Sequence, residues 1–317
     1  MLLSFHVTQG KQSVTDLTPA DVLLLEDGKP RDFSIFDGPA TKIRMPLDLV
    51  LLFDTNPAIP YFWDPDAVYP FVRNWDEGMS RAALNNHAAD IRISVYHAAG
   101  QDLYRLVRAT TDASQLLDAF GSLLTPEAGT AIPLFLPPNR DRVEPGPFTN
   151  DYVTSAFIST GSRGWPLEAA IGTLNDVTTA PEKVARLLVI FSEGIGATTT
   201  IPEDVGNHAL DLGIPIYPVV TNYQGHITSS YPRNQFRMGQ FAKLGKMTGG
   251  RTVEHQKIDA ATLRMILESV ETDGLSEYVV GFEPSPTRGT SKAHKLEIKL
   301  VSKSSGKLEG GTRRAIY

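Results

Sequence analysis

The run LVLLFDTNPA, residues 49–58, decides the fold. Five apolar residues lead straight into Asp54, and Asn56-Pro57 then breaks the chain. An apolar run of this length closed by turn residues reads as a strand buried on both faces, the kind found inside a parallel sheet. Such a strand delivers its last polar residue to the carboxyl end of the sheet, where open α/β folds place their sites. Asp54 is therefore the first candidate functional residue, and the question is what accompanies it.

Outward from this strand, further apolar runs at 91–96, 103–107, 187–191, 214–220 and 251–254 alternate with helix candidates near 65–86, 113–124, 165–175, 202–212, 237–248 and 259–273. In the last of these Leu263, Ile266, Leu267 and Val270 fall on one face at helical spacing, and Asp259 suits the N-cap. This βαβ alternation predicts a doubly wound, mostly parallel sheet with helices on both faces. The two chain ends differ. Segments 2–7, 22–26 and 31–36 are short strands broken by Gly-Lys and Asp-Gly-Lys, which is hairpin chemistry, and Leu296, Ile298 and Leu300 repeat at period two. The expected organisation is a small β-sandwich from 1–45 plus 276–317, with an α/β domain at 46–275 inserted in it. A stretch rich in Pro, Gly and aromatics at 125–164 shows no sustained period and reads as a long ordered loop.

Composition narrows the function classes. The 317 residues are 41% hydrophobic, enough to bury a large core, and the net charge of −6 with scattered basic residues gives no footprint for nucleic acid or an anionic membrane. No apolar stretch approaches the ~20 residues of a membrane-spanning helix. The start, MLLSFHVTQGKQ, lacks a basic n-region and a small-residue cleavage site. Without cysteine there is no disulfide, thiolate metal site or Cys nucleophile. The histidines show no HExxH or His-x-His spacing. STGSRG at 159–164 lacks the strand, turn and helix of a nucleophile elbow. GKMTGG at 245–250 follows a helix where a phosphate loop would follow a strand, so capping explains its glycines.

Four stretches, VTDLTPADVLLLEDGKPRDFSIF, LDLVLLFDTNPA, RLLVIFSEG and SEYVVGFEPSP with KLEIKL and TRRAIY, together with LGKMTGGRTVE, resemble in their order the bacterial proteins built around a von Willebrand factor A (VWA) domain, in particular those abundant in Acidobacteria. The resemblance implies an integrin-I-like α/β domain and a metal-ion-dependent adhesion site. That site uses an Asp-x-Ser-x-Ser loop, a Thr from a second loop and a later Asp around a hard divalent cation. On this chain Asp54 matches the first aspartate, Asn56 the first serine and Ala58 the second. Trp165 falls where the threonine belongs, with Gly129-Thr130 as an alternative register, and Glu193 matches the final aspartate. Two carboxylates and one amide remain of five ligand positions. The expectation is no resident cofactor, with at most weak Mg²⁺ or Ca²⁺ binding at Asp54, Asn56 and Glu193, and with Asp54 and Glu193 bonded to loop backbone.

Aromatic residues gather around the same loops: Tyr61, Phe62 and Trp63, then Phe148 and Tyr152, then Trp165. Such side chains supply protein-recognition surfaces, and they also pack long loops onto a domain. The function expected is a non-enzymatic interaction or adhesion module that takes a protein or peptide at the loop-lined end of the sheet. The alternatives are a metal-dependent adhesion module with a variant site and an uncharacterised hydrolase. The resemblance further implies a secreted or periplasmic location, with a leader expected upstream of the strand that begins at Leu2.

Overall fold

The structure, a computed structural model, describes residues 1–10, 12–41, 46–55, 91–99, 102–112, 114–116, 118–119, 141–143, 166–179, 184–192, 200–221, 232–255, 260–283, 293–302 and 306–316. In chain order the first elements are β1 (Leu2–Gln9), β2 (Gln12–Ser13), β3 (Val22–Glu26), β4 (Lys29–Arg31) and β5 (Ile35–Asp37). There follow β6 (Leu47–Thr55), β7 (Ile91–Ala99), β8 (Asp102–Thr110), β9 (Asp141–Val143), α1 (Pro166–Val177), β10 (Ala185–Ser192), α2 (Pro202–Leu212), β11 (Ile216–Thr221), α3 (Pro232–Thr248), β12 (Val253–His255) and α4 (Ala260–Ser276). The chain closes with β13 (Tyr278–Gly281), β14 (Ala293–Leu300), β15 (Lys307–Gly310) and β16 (Thr312–Ile316).

The middle of the chain builds a seven-stranded sheet in the order β12-β11-β10-β6-β7-β8-β9. The pairings from β12 to β7 are parallel, and β8 and β9 add antiparallel strands at one edge. The apolar run of β6 lies at the centre because both its faces are needed. Leu47, Leu49, Leu51 and Phe53 pack with Ile266, Leu267 and Val270 of α4 and with the helical residues Leu116 and Ala119. Val50 and Leu52 pack with Leu167, Ile171 and Leu174 of α1, Val205 of α2 and Leu244 of α3. Helices thus cover both faces, and each fully buried side chain of this kind contributes about 1.5–3 kcal/mol relative to exposure.

The chain ends form two antiparallel sheets, β15-β1-β13-β5 with β2 on β1, and β16-β14-β3-β4. Leu3, Phe5, Leu24, Tyr278, Leu296 and Ile298, drawn from both sheets, share one core. At its centre the Tyr278 ring stacks on Phe5 at 5.3 Å. Its hydroxyl accepts from the Leu17 N–H and donates to the Val14 carbonyl, both at 3.0 Å, fixing the loop that precedes β3.

Several elements differ from expectation. The run 31–36 is not one strand: β4 and β5 belong to different sheets, so the chain crosses over between them. Asp27 and Gly28, at φ 50 and 80, make the two-residue hairpin that pairs Glu26 with Lys29, as Asp-Gly chemistry requires. The strand expected at 103–107 is no βαβ member but the antiparallel partner of β7, running from Asp102 to Thr110. The 125–164 stretch, expected to be loop throughout, contributes β9, which pairs with β8. The third helix begins at Pro232 instead of 237. The helix expected at 65–86 lies outside the described residues. Gly249, at φ 88, follows the end of α3. A Cβ on Gly250 would collide with the Ile216 carbonyl oxygen, so close chain approach accounts for the second glycine of this pair. Among the described residues no helix is long and apolar enough to cross a membrane.

Candidate functional site

The carboxyl end of the central sheet is where the candidate residues were expected, and Asp54 is the one the structure describes there. It is the penultimate residue of β6, on the strand face shared with Val50 and Leu52 and so turned toward the α1 side. The register of β10 on β6 pairs Phe191 with Phe53, and these rings stack at 4.8 Å on the opposite face. One residue further along, Ser192 ends β10 beside Asp54.

The consequence is a tight side-chain pair. The Ser192 hydroxyl, fully buried, donates to Asp54 Oδ2 at 2.6 Å. Asp54 is 6% exposed, and its Oδ1 has no hydrogen-bond partner among the described residues. Burial pushes the carboxyl up to about 7; the Ser192 hydrogen bond opposes the shift and the charge of Glu168 adds to it. Glu168 comes from the first turn of α1, where an acidic residue complements the helix dipole, and its Oε1 accepts from the Thr200 N–H at 3.3 Å. Two carboxylates and a hydroxyl, from β6, α1 and β10, therefore converge at this end of the sheet. The expected bonding of Asp54 to loop backbone is replaced by a side-chain donor on the neighbouring strand.

The described part of this set offers a hard divalent cation few ligands. Mg²⁺ or Ca²⁺ takes ionised carboxylates and further oxygens in an open, hydrated geometry. Here one Asp54 oxygen is already engaged, accepting a hydrogen bond from the Ser192 hydroxyl. Among the described residues no group of three or more His, Cys, Asp or Glu side chains is arranged to hold a metal ion. Asn56, Glu193, Tyr61, Phe62, Trp63, Phe148, Tyr152 and Trp165 lie outside the described residues, so the structure does not bring them to Asp54 or away from it.

Ser192 and Glu168 were not singled out from sequence, although signals for both exist. Ser192 directly precedes Glu193 in SEG, and aligning the apolar runs 49–53 and 187–191 as neighbours sets it level with Asp54. Glu168 sits three residues after Trp165, one turn into the helix that follows.

The chain matches no protein-family model and no curated protein. Solved structures similar to it include the conserved hypothetical protein BatB from Bacteroides thetaiotaomicron, at 14% identity over 72% of this chain and 98% of that one, with a TM-score of 0.40. Proximal thread matrix protein 1 of the mussel byssus, with a zinc-occupied MIDAS motif, is similar at 11% identity over 74% of this chain and 47% of that one, TM-score 0.43. The pilus adhesin SpaC from Lactobacillus rhamnosus GG is similar at 10% identity over 83% and 36%, TM-score 0.42.

Proposed function

We propose that this chain is a non-enzymatic protein-interaction module of VWA type, an α/β domain at 46–275 held in a β-sandwich formed by 1–45 and 276–317. Its binding end is the carboxyl end of the central sheet, and it takes a protein or peptide there with little or no dependence on metal. The observation that carries this reading is the Asp54–Ser192 pair. The carboxylate that would anchor a cation is buried and bonded to the adjacent strand. The aromatic residues of the flanking loops, Trp165 foremost, supply the recognition surface, and the sequence resemblance supports a location outside the cytoplasm.

Affinity capture from the native source with the wild-type chain, Trp165→Ala and an unrelated control tests this. A partner retained by the wild type in excess EDTA and lost with Trp165→Ala is expected. Calorimetric titration with Mg²⁺, Mn²⁺ and Ca²⁺ should give no constant tighter than about millimolar, in the range left to a site with few ligands. A micromolar constant abolished by Asp54→Ala would overturn the metal-free reading in favour of a metal-dependent adhesion module.

A further inference from the structure

The hairpin joining β3 and β4 turns on the dipeptide Asp27-Gly28. In such a pair the backbone nitrogen of the glycine can attack the preceding carboxyl with little hindrance, because glycine puts no side chain over it. Among the described residues nothing lies within 4 Å of a Cβ built on Gly28, and the Asp27 side chain is 41% exposed. The turn is therefore open. Its carboxylate, however, is held at both oxygens by the start of β14. The Lys295 N–H donates to Oδ1 at 2.9 Å, and His294 Nδ1 stands 3.0 Å from Oδ2. The Asp27 N–H in turn donates to the Lys295 carbonyl at 2.8 Å. His294 is buried, and its Nδ1 also lies 3.4 Å from Glu26 Oε1, whose companion oxygen pairs with Arg31 of β4. With two carboxylates facing it, Nδ1 carries the ring proton.

We infer that Asp27-Gly28 is a latent isoaspartate site, kept as aspartate by this clamp from β14, with His294 as its guard. The reaction joins the Gly28 nitrogen to Asp27 Cγ. The nitrogen gives up its proton and one carboxyl oxygen leaves, together as water, closing a five-membered succinimide. Water then adds to either ring carbonyl: one opening restores aspartate, the other routes the main chain through the side-chain carbon as isoaspartate. One water leaves and one enters, and nothing is oxidised or reduced. Ring closure turns the carboxyl carbon onto the Gly28 nitrogen, so both oxygens must first leave their donors on β14. Reaction thus waits on local opening of the hairpin from β14. Isoaspartate lengthens the main chain of a two-residue turn by one carbon, which the pairing of Glu26 with Lys29 does not accommodate. The clamp therefore preserves the edge of the sandwich, independently of what the other end of the molecule binds.

The test is the rate at which isoaspartate accumulates at Asp27 in the full chain held at neutral pH, read by peptide mapping and isoaspartyl methyltransferase labelling. A synthetic peptide of residues 24–32 gives the unclamped rate. The folded chain should react at least about tenfold more slowly than the peptide, since the hairpin must open first. His294→Leu keeps the buried volume and removes the donor; it should raise the rate by about threefold or more. His294→Asn, whose side-chain N–H can take the place of Nδ1–H, should bring it back towards the wild-type rate. Ile298→Val loosens the same core without touching the clamp and should leave the rate unchanged. A wild-type rate equal to that of the peptide would overturn the inference, and this comparison needs no variant to fold. So would a His294→Leu rate no faster than wild type, or an equal acceleration by Ile298→Val, which would assign the protection to general stability.

Discussion

The two ends of strand β6 make the same request of the protein and receive different answers. Asp48 and Asp54 lie on one face of one strand, both buried, each accepting a hydrogen bond from a serine on a neighbouring strand, Ser94 on β7 and Ser192 on β10. Burial raises the carboxyl pKa at both positions. At the amino end three arginines oppose that rise, and Ser94 also accepts the Ala109 N–H at 2.9 Å, where β7 and β8 shift register. Ala109 there takes a φ of 46. That end is closed by interactions within the chain. At the carboxyl end a glutamate replaces the arginines and adds to the rise. A buried carboxylate in a packed fold is thus not in itself a sign of function; the sign of the neighbouring charges is what distinguishes the two ends.

The largest effect is expected from Asp54→Asn. A carboxyl whose folded pKa stands at about 7 against an ordinary 3.8 binds its proton more tightly folded than unfolded. Its contribution to stability is therefore full below about pH 4 and is lost as pH rises to 7, where the charge must be buried. Asparagine carries no such charge. The variant should match the wild type near pH 4 and exceed it by about 2–4 kcal/mol at pH 8, given about 1.36 kcal/mol per pKa unit. Urea unfolding at both pH values measures this, and equal stability of the two proteins at pH 8 would show that Asp54 finds its counter-charge within the chain.

The paired serines give the next effect. Ser94→Ala removes the donor to Asp48 and leaves the Ala109 N–H without its acceptor, two losses at one buried point. It should cost about 2–3 kcal/mol. Ser192→Ala removes one bond, at a cost of about 1 kcal/mol, and it should move the Asp54 midpoint above 7, because that bond is the influence that lowers it. Equal costs for the two alanines would erase the contrast between the two ends.

Much of this was legible in the sequence where one physical signal dominated. The LVLLF run reads as a central strand because five consecutive apolar side chains closed by turn residues are too short a run for a buried helix and fit a strand covered on both faces. Asp-Gly-Lys had to be a hairpin, and Asp27 and Gly28 turn through positive φ as that pairing requires. The β7–β8 hairpin was misread because a parallel and an antiparallel buried strand share one apolar signature, and the Gly100-Gln101 connection was passed over. Asp54 stood out as a charge closing an apolar run. Ser192 did not, since a serine ending a strand is ordinary, and its role depends on the register of β10 against β6, which no local pattern encodes. Glu168 was hidden for a similar reason: acidic residues favour the first turn of any helix, so its sequence position carries no mark of its effect on Asp54.

The smallest effect is the one that isolates the sign of the neighbouring charge. Arg186→Gln beside Asp48 and Glu168→Gln beside Asp54 each remove one charge from the surroundings of a buried carboxylate and leave its serine in place. The first should raise the Asp48 pKa, because an opposing guanidinium is lost; the second should lower that of Asp54, because a like charge is lost. Each change is expected to alter stability by under about 1 kcal/mol, since neither group is the first cause of the shift it influences. Carboxyl ¹³C titration of the two variants measures both directions against the wild type. Opposite movements fit a strand whose two buried carboxylates have neighbours of opposite sign, arginines at the amino end and a glutamate at the carboxyl end; movements of the same sign would place a cation of the chain itself beside Asp54.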